Sequence, residues 1–301
     1  MPLSHSDPGP GGSTPEGPTP SSPGLPLAVW PCAQTPPALQ RAQRGLEEPV
    51  APTAPAMVPE LARRLIDEYS RPGELVADVM CGSGTIVVEA ALAGRRVLAM
   101  DIEPACVAQT LTHLDTLLAR EQQGHYEELW QGDARHAHAL LPGHQAGVDL
   151  VVFGLPRAAV GPPSARRLAA DNLARATGAA LQTGLAEVMT ACAALLRPGG
   201  RMAVVAPHHH AHGGLAHLPP RMVEAAQQAG LDYLQHVIAL TRPIRGDRLQ
   251  EGPEEAQQSR LNTASAAATA RHTPAHDNVL LFTKPATAPV RTHPQEVAAP
   301  R

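Results

Sequence analysis

The sequence has very few aromatic residues and no apolar stretch that reaches membrane-spanning length. Phe, Trp and Tyr together make up 2% of the 301 residues, although apolar residues as a whole make up 43%. A core can therefore form, but Leu, Val and Ala must build most of it. Because a bilayer-spanning helix needs about 20 apolar residues, no membrane segment is expected. The first residues also lack the basic and then apolar pattern of a secretory signal.

Paired cysteines and an excess of positive charge are also missing. The four cysteines, Cys32, Cys81, Cys106 and Cys192, show neither zinc-site nor disulfide spacing, which favours a reduced, cytoplasmic protein. The formal net charge is −4 with His neutral, so the chain has no overall basic footprint for nucleic acid. This charge disfavours tight nonspecific DNA binding, but it leaves room for a local basic groove.

The composition predicts one domain between two tails. Residues 1–26 are rich in Pro, Gly, Ser and Thr and nearly lack large apolar side chains, so we expect them to be disordered. We expect the same of residues 285–301. Residues 27–284 then form a single domain, and its first apolar stretch is predicted to be an edge strand that places Trp30 in the core.

One stretch of the chain follows the order strand, glycine turn, helix, strand, acid. Leu75 to Met80 is a short apolar run with Asp78 near its end, and Cys81 to Gly84 is a tight turn of small residues. Thr85 to Ala93 has a helical pattern, and the next apolar run ends in Asp101. Such a unit suits a bound nucleoside. The turn allows the backbone to approach the ligand closely, and the acid accepts hydrogen bonds from the ribose hydroxyls.

The turn lacks the third glycine of the dinucleotide fingerprint G-x-G-x-x-G. Cys81-Gly-Ser-Gly-Thr85 with Asp78 before it instead suits a ligand without phosphate that carries a cation and an amine. S-adenosylmethionine is such a ligand, and Asp78 would lie near its ammonium group. The alternative is a buried β–α–β unit whose tight turn binds nothing.

Asp78-Val-Met-Cys-Gly-Ser-Gly-Thr85 resembles the D-P-x-C/F-G-S-G-T motif of the amino methyltransferases that act on adenine N6 or cytosine N4 in DNA. It is also similar to the related tRNA guanosine-N2 methyltransferases, although Val79 stands where the motif has Pro. The likeness runs from about Trp30 to Lys284. It implies a Rossmann-like, seven-stranded class I methyltransferase fold, α/β with a mostly parallel sheet and a C-terminal antiparallel hairpin. It also implies S-adenosyl-L-methionine as cofactor.

The resemblance assigns cofactor contacts to the ends of several strands. Asp78 and the turn would hold the methionine part, Asp101 the ribose and Asp133 the adenine amino group. Taken alone, Asp133 fits equally well as the N-cap of the next helix. Ala54-Pro-Ala-Met-Val-Pro59, which precedes the strand that carries Asp78, resembles the family's H-P-A-x-x-P motif, with Ala54 in place of His. The predicted cofactor-binding residues are Pro55, Met57, Asp78, Met80, Cys81, Gly82, Ser83, Gly84, Thr85, Asp101, Ile102, Asp133, Ala134 and Phe153.

The family's catalytic motif is altered in this chain. In [D/N/S]-P-P-[Y/F/W] the first side chain and a backbone carbonyl accept from the target amino group, and the aromatic ring stacks on the flipped base. The corresponding residues here are Gly154, Leu155, Pro156 and Arg157, so the side-chain acceptor and the ring are both lost. The two carbonyls before Pro156 could still accept, and Arg157 could stack on a base or contact phosphate.

Three functions fit these residues. The first is methyl transfer to a nucleobase amino group, with DNA favoured as substrate, and the second is a degenerate module that binds the cofactor without catalysis. The third is a methyltransferase acting on RNA or a small molecule. Arg166, Arg167 and the arginines at 242, 245 and 248 are the candidates for a local basic surface. The histidines between Pro207 and His217 lack ordered zinc spacing, so no metal site is predicted.

Overall fold

The computed structural model describes most of the predicted domain. The terminal segments, together with Pro55, Pro156 and Arg157, lie outside the described residues, so the predicted domain boundaries stay predictions. The described ranges are 27–50, 57–121, 126–155, 168–207, 210–211, 214–215, 218–250 and 275–286.

Helices and strands alternate through the first two thirds of the domain. The helices α1 to α7 span Pro37–Arg44, Pro59–Tyr69, Thr85–Leu92, Pro104–Glu121, Ala137–Leu140, Gly178–Leu195 and Leu218–Gln228. The strands β1 to β12 span Val29–Pro31, Leu75–Asp78, Arg96–Asp101, Tyr126–Gln131, Val148–Gly154, Leu196–Pro207, His210–Ala211, Gly214–Leu215, Asp232–Leu240, Ile244–Arg245, Arg248–Leu249 and His276–Thr283.

Eight strands form the main sheet, in the order β1-β9-β12-β6-β5-β2-β3-β4. β12 runs antiparallel to both β6 and β9, and the other neighbouring pairs are parallel. Seven of these strands give the class I methyltransferase fold that the resemblance implied, including the antiparallel pair near the C-terminus. The additional strand β1 lies at the edge, where the fully buried Trp30 stacks on Tyr69 of α2.

The sheet is covered by helices on both faces, which is why its strands are apolar at almost every position. Successive strand residues point to opposite faces, so Val76 packs under α2, α3 and α4, whereas Leu75 and Ala77 pack under α6 and α7. Two apolar clusters result, one on each side of the sheet. This layering leaves the carboxyl ends of the parallel strands together at one edge.

α6 differs from its predicted bounds and is the one described helix that could span a membrane by length and composition. Asp171 as an N-cap predicts a helix from that residue to Leu196, but a 3₁₀ turn at Leu173–Arg175 comes first and α6 starts at Gly178. The interruption has a local cause, since the Asn172 side chain accepts from the Ala174 N–H at 2.9 Å. The apolar side of α6 packs on the sheet through Leu185, Val188, Met189, Cys192 and Leu195.

Candidate functional site

A hollow opens at the carboxyl edge of the sheet, above the ends of β2, β3 and β4. Its volume is about 150 Å³, and Asp78, Asp101 and Asp133 all line it. Because one water needs roughly 10–15 Å³ on such a measure, this space is not filled by side chains. β2 lies between β5 and β3, which is the point where the strand order reverses and where open α/β sheets bind their ligands.

The glycine turn is shaped by two glycines with different tasks. The Gly84 N–H donates to the Cys81 carbonyl at 2.8 Å and closes the turn. Gly82 and Gly84 both have left-handed φ angles, of +52° and +78°. A Cβ on Gly84 would lie 2.8 Å from Thr110 Oγ1, whereas a Cβ on Gly82 would meet nothing within 4 Å. Gly84 therefore lets the turn pack on α4, and Gly82 keeps the wall of the hollow open.

Replacing Gly84 by Ala is expected to destabilise the fold by about 2–5 kcal/mol. The left-handed backbone costs a side chain roughly 1–2 kcal/mol, and the overlap with Thr110 adds about 1–3 kcal/mol. Gly82→Ala is the matched control, because it carries the backbone strain without the overlap. Chemical denaturation measures both, and equal free energies of unfolding for the two variants would contradict this account of Gly84.

Asp101 is fixed by two backbone donors. Its Oδ2 accepts from the Gly82 N–H at 2.8 Å, and its Oδ1 accepts from the Glu103 N–H at 2.9 Å. Burial raises the pKa of the Asp101 carboxyl, and the hydrogen bonds from Glu103 and Gly82 offset part of that rise. Each carboxylate oxygen can accept a second bond, so this side chain presents two oriented acceptors, as a ribose diol requires.

Asp78 is a buried acid without a cationic partner among the described side chains. It is 2% exposed, and its Oδ1 accepts from the Met80 N–H at 3.1 Å. Burial raises the pKa of Asp78 well above its usual value, and the nearby charge of Asp101 adds to the effect. A buried carboxylate is costly unless a cation pairs with it. The ammonium group of S-adenosylmethionine fits this need.

Asp133 pairs with Arg135 at the end of β4. Both carboxylate oxygens accept from the Arg135 guanidinium, and Oδ1 also accepts from the Arg135 N–H at 3.0 Å. Burial acts to raise the pKa of Asp133, but the hydrogen bonds and charge of Arg135 outweigh it and lower the pKa. The N-cap role is therefore present in the structure, while contact with an adenine amino group stays a prediction.

The other predicted cofactor residues divide into three groups. Phe153 lies in the core and Gly84 packs on Thr110, so neither lines the hollow. Pro55 lies outside the described residues. The remaining members of the set line the hollow: Met57, Met80, Cys81, Gly82, Ser83, Thr85, Ile102 and Ala134.

The four predicted catalytic residues are only partly described. Gly154 ends β5 and lines the hollow, with Met57 Cε 3.5 Å from the position that its Cβ would take. Leu155 is 5% exposed and packs in the core, and its N–H donates to the Val205 carbonyl at 2.9 Å. Pro156 and Arg157 fall outside the described residues.

Sequence reasoning missed a second wall of the hollow. Glu103, two residues beyond Asp101, was available as a signal because it stands at the same strand end. The segment around Asn172 carried no comparable signal, because only long-range contacts bring it to the site. The additional lining residues are Pro49, Val79, Ile86, Glu103, Cys106, Asp171, Asn172 and Leu173.

Metal ligands were not expected, and the described part of the chain contains no group of three or more His, Cys, Asp or Glu residues placed to hold a metal ion. Most of the histidine-rich segment between 208 and 217 lies outside that part, so the expectation for those residues stays a prediction.

One family model and several solved structures match parts of this chain. The family model for DNA methylase matches residues 26–111, whereas no protein of curated function matches the chain. Among solved structures, TrmN from Thermus thermophilus is 21% identical with a TM-score of 0.45, and the match covers 76% of this chain and 49% of TrmN. The chain thus spans about half the length of TrmN.

Two further solved structures resemble the chain at lower identity. Magnesium protoporphyrin IX methyltransferase (ChlM) from Synechocystis PCC 6803, with bound SAM, is 13% identical with a TM-score of 0.44, over 74% of this chain and 76% of ChlM. A TehB-like SAM-dependent methyltransferase from Corynebacterium glutamicum is 16% identical with a TM-score of 0.41, over 82% and 94% of the two chains. At these identities the likeness concerns the fold.

The matched segment contains the parts of the hollow that suit the methionine and ribose groups of the cofactor. Asp78, the glycine turn and Asp101 all lie within residues 26–111. The buried Asp78 calls for a cation, and the oriented Asp101 suits a diol. Residues 26–111, which the DNA methylase family model matches, therefore contain the parts of the hollow that fit S-adenosyl-L-methionine, the cofactor that the sequence resemblance implies.

Proposed function

We propose that this protein transfers a methyl group from S-adenosylmethionine to an exocyclic amino group of a nucleobase in DNA. The observation that carries the proposal is the position of Gly154. It lines the same hollow as the three acids, at the strand end where the related amino methyltransferases have their catalytic motif. A target amino group at this point would face the cofactor across the topological switch point of the sheet.

The chemistry asks for alignment and exclusion of water, because methyl transfer is a direct displacement that needs no strong base. The bound cofactor supplies an electrophilic methyl group. Asp78 would hold its ammonium end and Asp101 its ribose, which fixes the direction of the methyl group. The backbone carbonyl of Gly154 would accept a hydrogen bond from the target amine and so help to orient its lone pair.

A small arginine-bearing hairpin supports a nucleic-acid substrate. β10 and β11 follow β9 in the chain. The last residue of β9 pairs with the first residue of β12. The start of β12 also pairs with the end of β6. The hairpin therefore leaves the sheet at the same edge as Gly154. Arg245 donates to the side chain and the carbonyl of Gln34, and the Arg248 side chain is 87% exposed. Exposed arginines at this edge suit phosphate contacts despite the acidic net charge of the chain.

Labelled methyl transfer tests the proposal. Purified protein is incubated with S-adenosylmethionine carrying a labelled methyl group and with duplex DNA, single-stranded DNA or RNA. We expect labelled N6-methyladenine or N4-methylcytosine in hydrolysed DNA. Asp115→Ala, on the exposed side of α4, should leave the label unchanged. Label found in RNA and absent from DNA would contradict DNA as the substrate.

A second function has one observation in its favour, namely the missing side chain at Gly154. A cofactor-binding module that lost catalysis would bind S-adenosylmethionine and label no nucleic acid. The altered residue is consistent with such a loss, because a positioned hydrogen-bonding group at a reacting centre contributes about 10²–10³ in rate.

Restoring an acceptor distinguishes the two functions. The nearest atom to a Cβ on Gly154 is Met57 Cε at 3.5 Å, an ordinary contact distance, so Gly154→Asn can be accommodated. If the lost side chain limits the reaction, we expect the methylation rate to rise by about 10²–10³. The rate is measured with saturating cofactor. A rate that stays unchanged from an active parent would show that the backbone carbonyls suffice.

A further inference from the structure

We propose that residues 168–175, called the strap below, form the adenosine-side wall of the cofactor site and that Glu103 is the positioning residue that holds them there. The strap contributes Asp171, Asn172 and Leu173 to the lining of the hollow. This inference rests on the S-adenosylmethionine site and not on the nucleobase target, so the two can fail separately.

Glu103 connects the strap to the predicted ribose acid. Its Oε1 accepts from the Ala169 N–H at 2.8 Å and from Asn172 Nδ2 at 2.7 Å. The backbone N–H of the same residue donates to Asp101 Oδ1 at 2.9 Å. Hydrogen bonds to a charged carboxylate are stronger than neutral ones. One residue thus orients Asp101 from its backbone and holds the strap with its side chain.

Arg135 provides the second attachment, next to the predicted adenine acid. Its guanidinium donates to both oxygens of Asp133, and its Nη2 also donates to the Asp171 carbonyl at 3.2 Å. The strap is therefore fixed once beside Asp101 and once beside Asp133. These two acids bracket the space that the resemblance gives to the ribose and adenine, which places the strap along the adenosine half of the cofactor.

Packing and internal bonds give the strap a defined shape. Leu173 is 8% exposed, and a Cβ on Gly184 of α6 would lie 2.4 Å from Leu173 Cδ2. Glycine is unfavourable inside a helix, so its presence here is explained by the room that Leu173 needs. Arg175 Nη1 donates to the Leu168 carbonyl at 3.3 Å and joins the two ends of the strap.

Calorimetric titration with S-adenosylmethionine tests the role of Glu103. Glu103→Ala removes both side-chain bonds to the strap, and we expect its dissociation constant to rise about 10–100-fold, the range for losing one to two charge-assisted hydrogen bonds. Glu103→Gln keeps an acceptor oxygen and should bind within about 5-fold of the parent. Glu224→Ala, on the exposed side of α7, is the control and should bind as the parent does.

Two further measurements separate a cofactor wall from a merely structural contact. 5′-Methylthioadenosine lacks the amino acid part, so Glu103→Ala should weaken its binding by the same factor as that of S-adenosylmethionine. In the cofactor-free protein, hydrogen exchange at the Ala169 amide should become faster in Glu103→Ala and not in Glu103→Gln. Unchanged methylthioadenosine binding would overturn the proposal, as would an equal loss of affinity in Glu103→Gln.

Discussion

Replacing Asp101 by Ala is expected to weaken S-adenosylmethionine binding by about 10²–10⁴-fold. The carboxylate would accept from two ribose hydroxyls, and each hydrogen bond to a charged group contributes roughly 1.5–3 kcal/mol. The substitution also leaves the N–H groups of Gly82 and Glu103 without the acceptor that now lies 2.8 and 2.9 Å away. Calorimetric titration of the cofactor into the purified variant measures the change.

Two comparisons isolate the ribose contact from damage to the turn. Asp101→Asn keeps one oxygen for a backbone donor and removes the charge, so we expect it to lie between the parent and Asp101→Ala in affinity. Asp115→Ala removes an exposed acid of α4 and should change nothing. If Asp101→Ala folds and binds the cofactor as tightly as the parent, the assignment of the ribose to this side chain is wrong.

The sequence was informative where local pattern and burial agree. The pattern from Leu75 to Asp101 predicts a buried strand, a tight turn of small residues, a helix and a second strand, and the structure has all of them in that order. The reason is physical, since parallel strands covered on both faces must be apolar and their carboxyl ends must meet at one edge. The convergence of Asp78, Asp101 and Asp133 at this edge can therefore be predicted without knowledge of tertiary contacts.

Side-chain direction at a strand end was harder to predict. Phe153, Gly154 and Leu155 are consecutive, but only Gly154 lines the hollow. Both neighbours belong to the apolar cluster under α6, as the two-residue period of an extended chain requires. A sequence motif does not indicate which of its residues point to the core and which to the hollow. The prediction for Phe153 therefore included a core side chain among the cofactor contacts.

The position of the strap could not be predicted from local sequence patterns. Its attachments join Glu103 to Ala169 and Arg135 to Asp171, pairs that are far apart in the chain and have no shared periodicity. Asp171 has the residue type of an N-cap, which predicts that one long helix starts there and runs to Leu196. The Asn172 cap and the left-handed Gly178 at φ +55° instead interrupt that helix.

Replacing Asp78 by Asn is expected to change cofactor affinity and apo stability in opposite directions. The buried carboxylate lacks a cationic partner among the described side chains, so a neutral isostere should stabilise the cofactor-free protein near neutral pH. The same change removes the partner of the cofactor's ammonium group, and breaking such a buried pair costs about 3–5 kcal/mol, or roughly 10²–10⁴ in affinity. Thermal unfolding and calorimetric titration measure the two effects.

The pH dependence follows from the direction of the Asp78 pKa shift. The pKa of Asp in an unfolded chain is about 3.9, whereas burial raises the pKa of Asp78 in the folded protein. Between these two values the folded state binds more protons than the unfolded state, so this group lowers stability as pH rises through that window. Cofactor binding favours the ionised form, so binding at a pH within the window should release a proton.

Asp78→Asn should remove both signatures, because it has no proton to lose. Proton release is read from titrations in buffers of different ionisation enthalpy, and stability from unfolding curves between pH 5 and pH 8. Asp115→Asn changes the same charge at an exposed position of α4 and should leave both signatures intact. A variant at Asp78 that is less stable than the parent yet binds the cofactor equally well would show that this acid serves the fold and not the ligand.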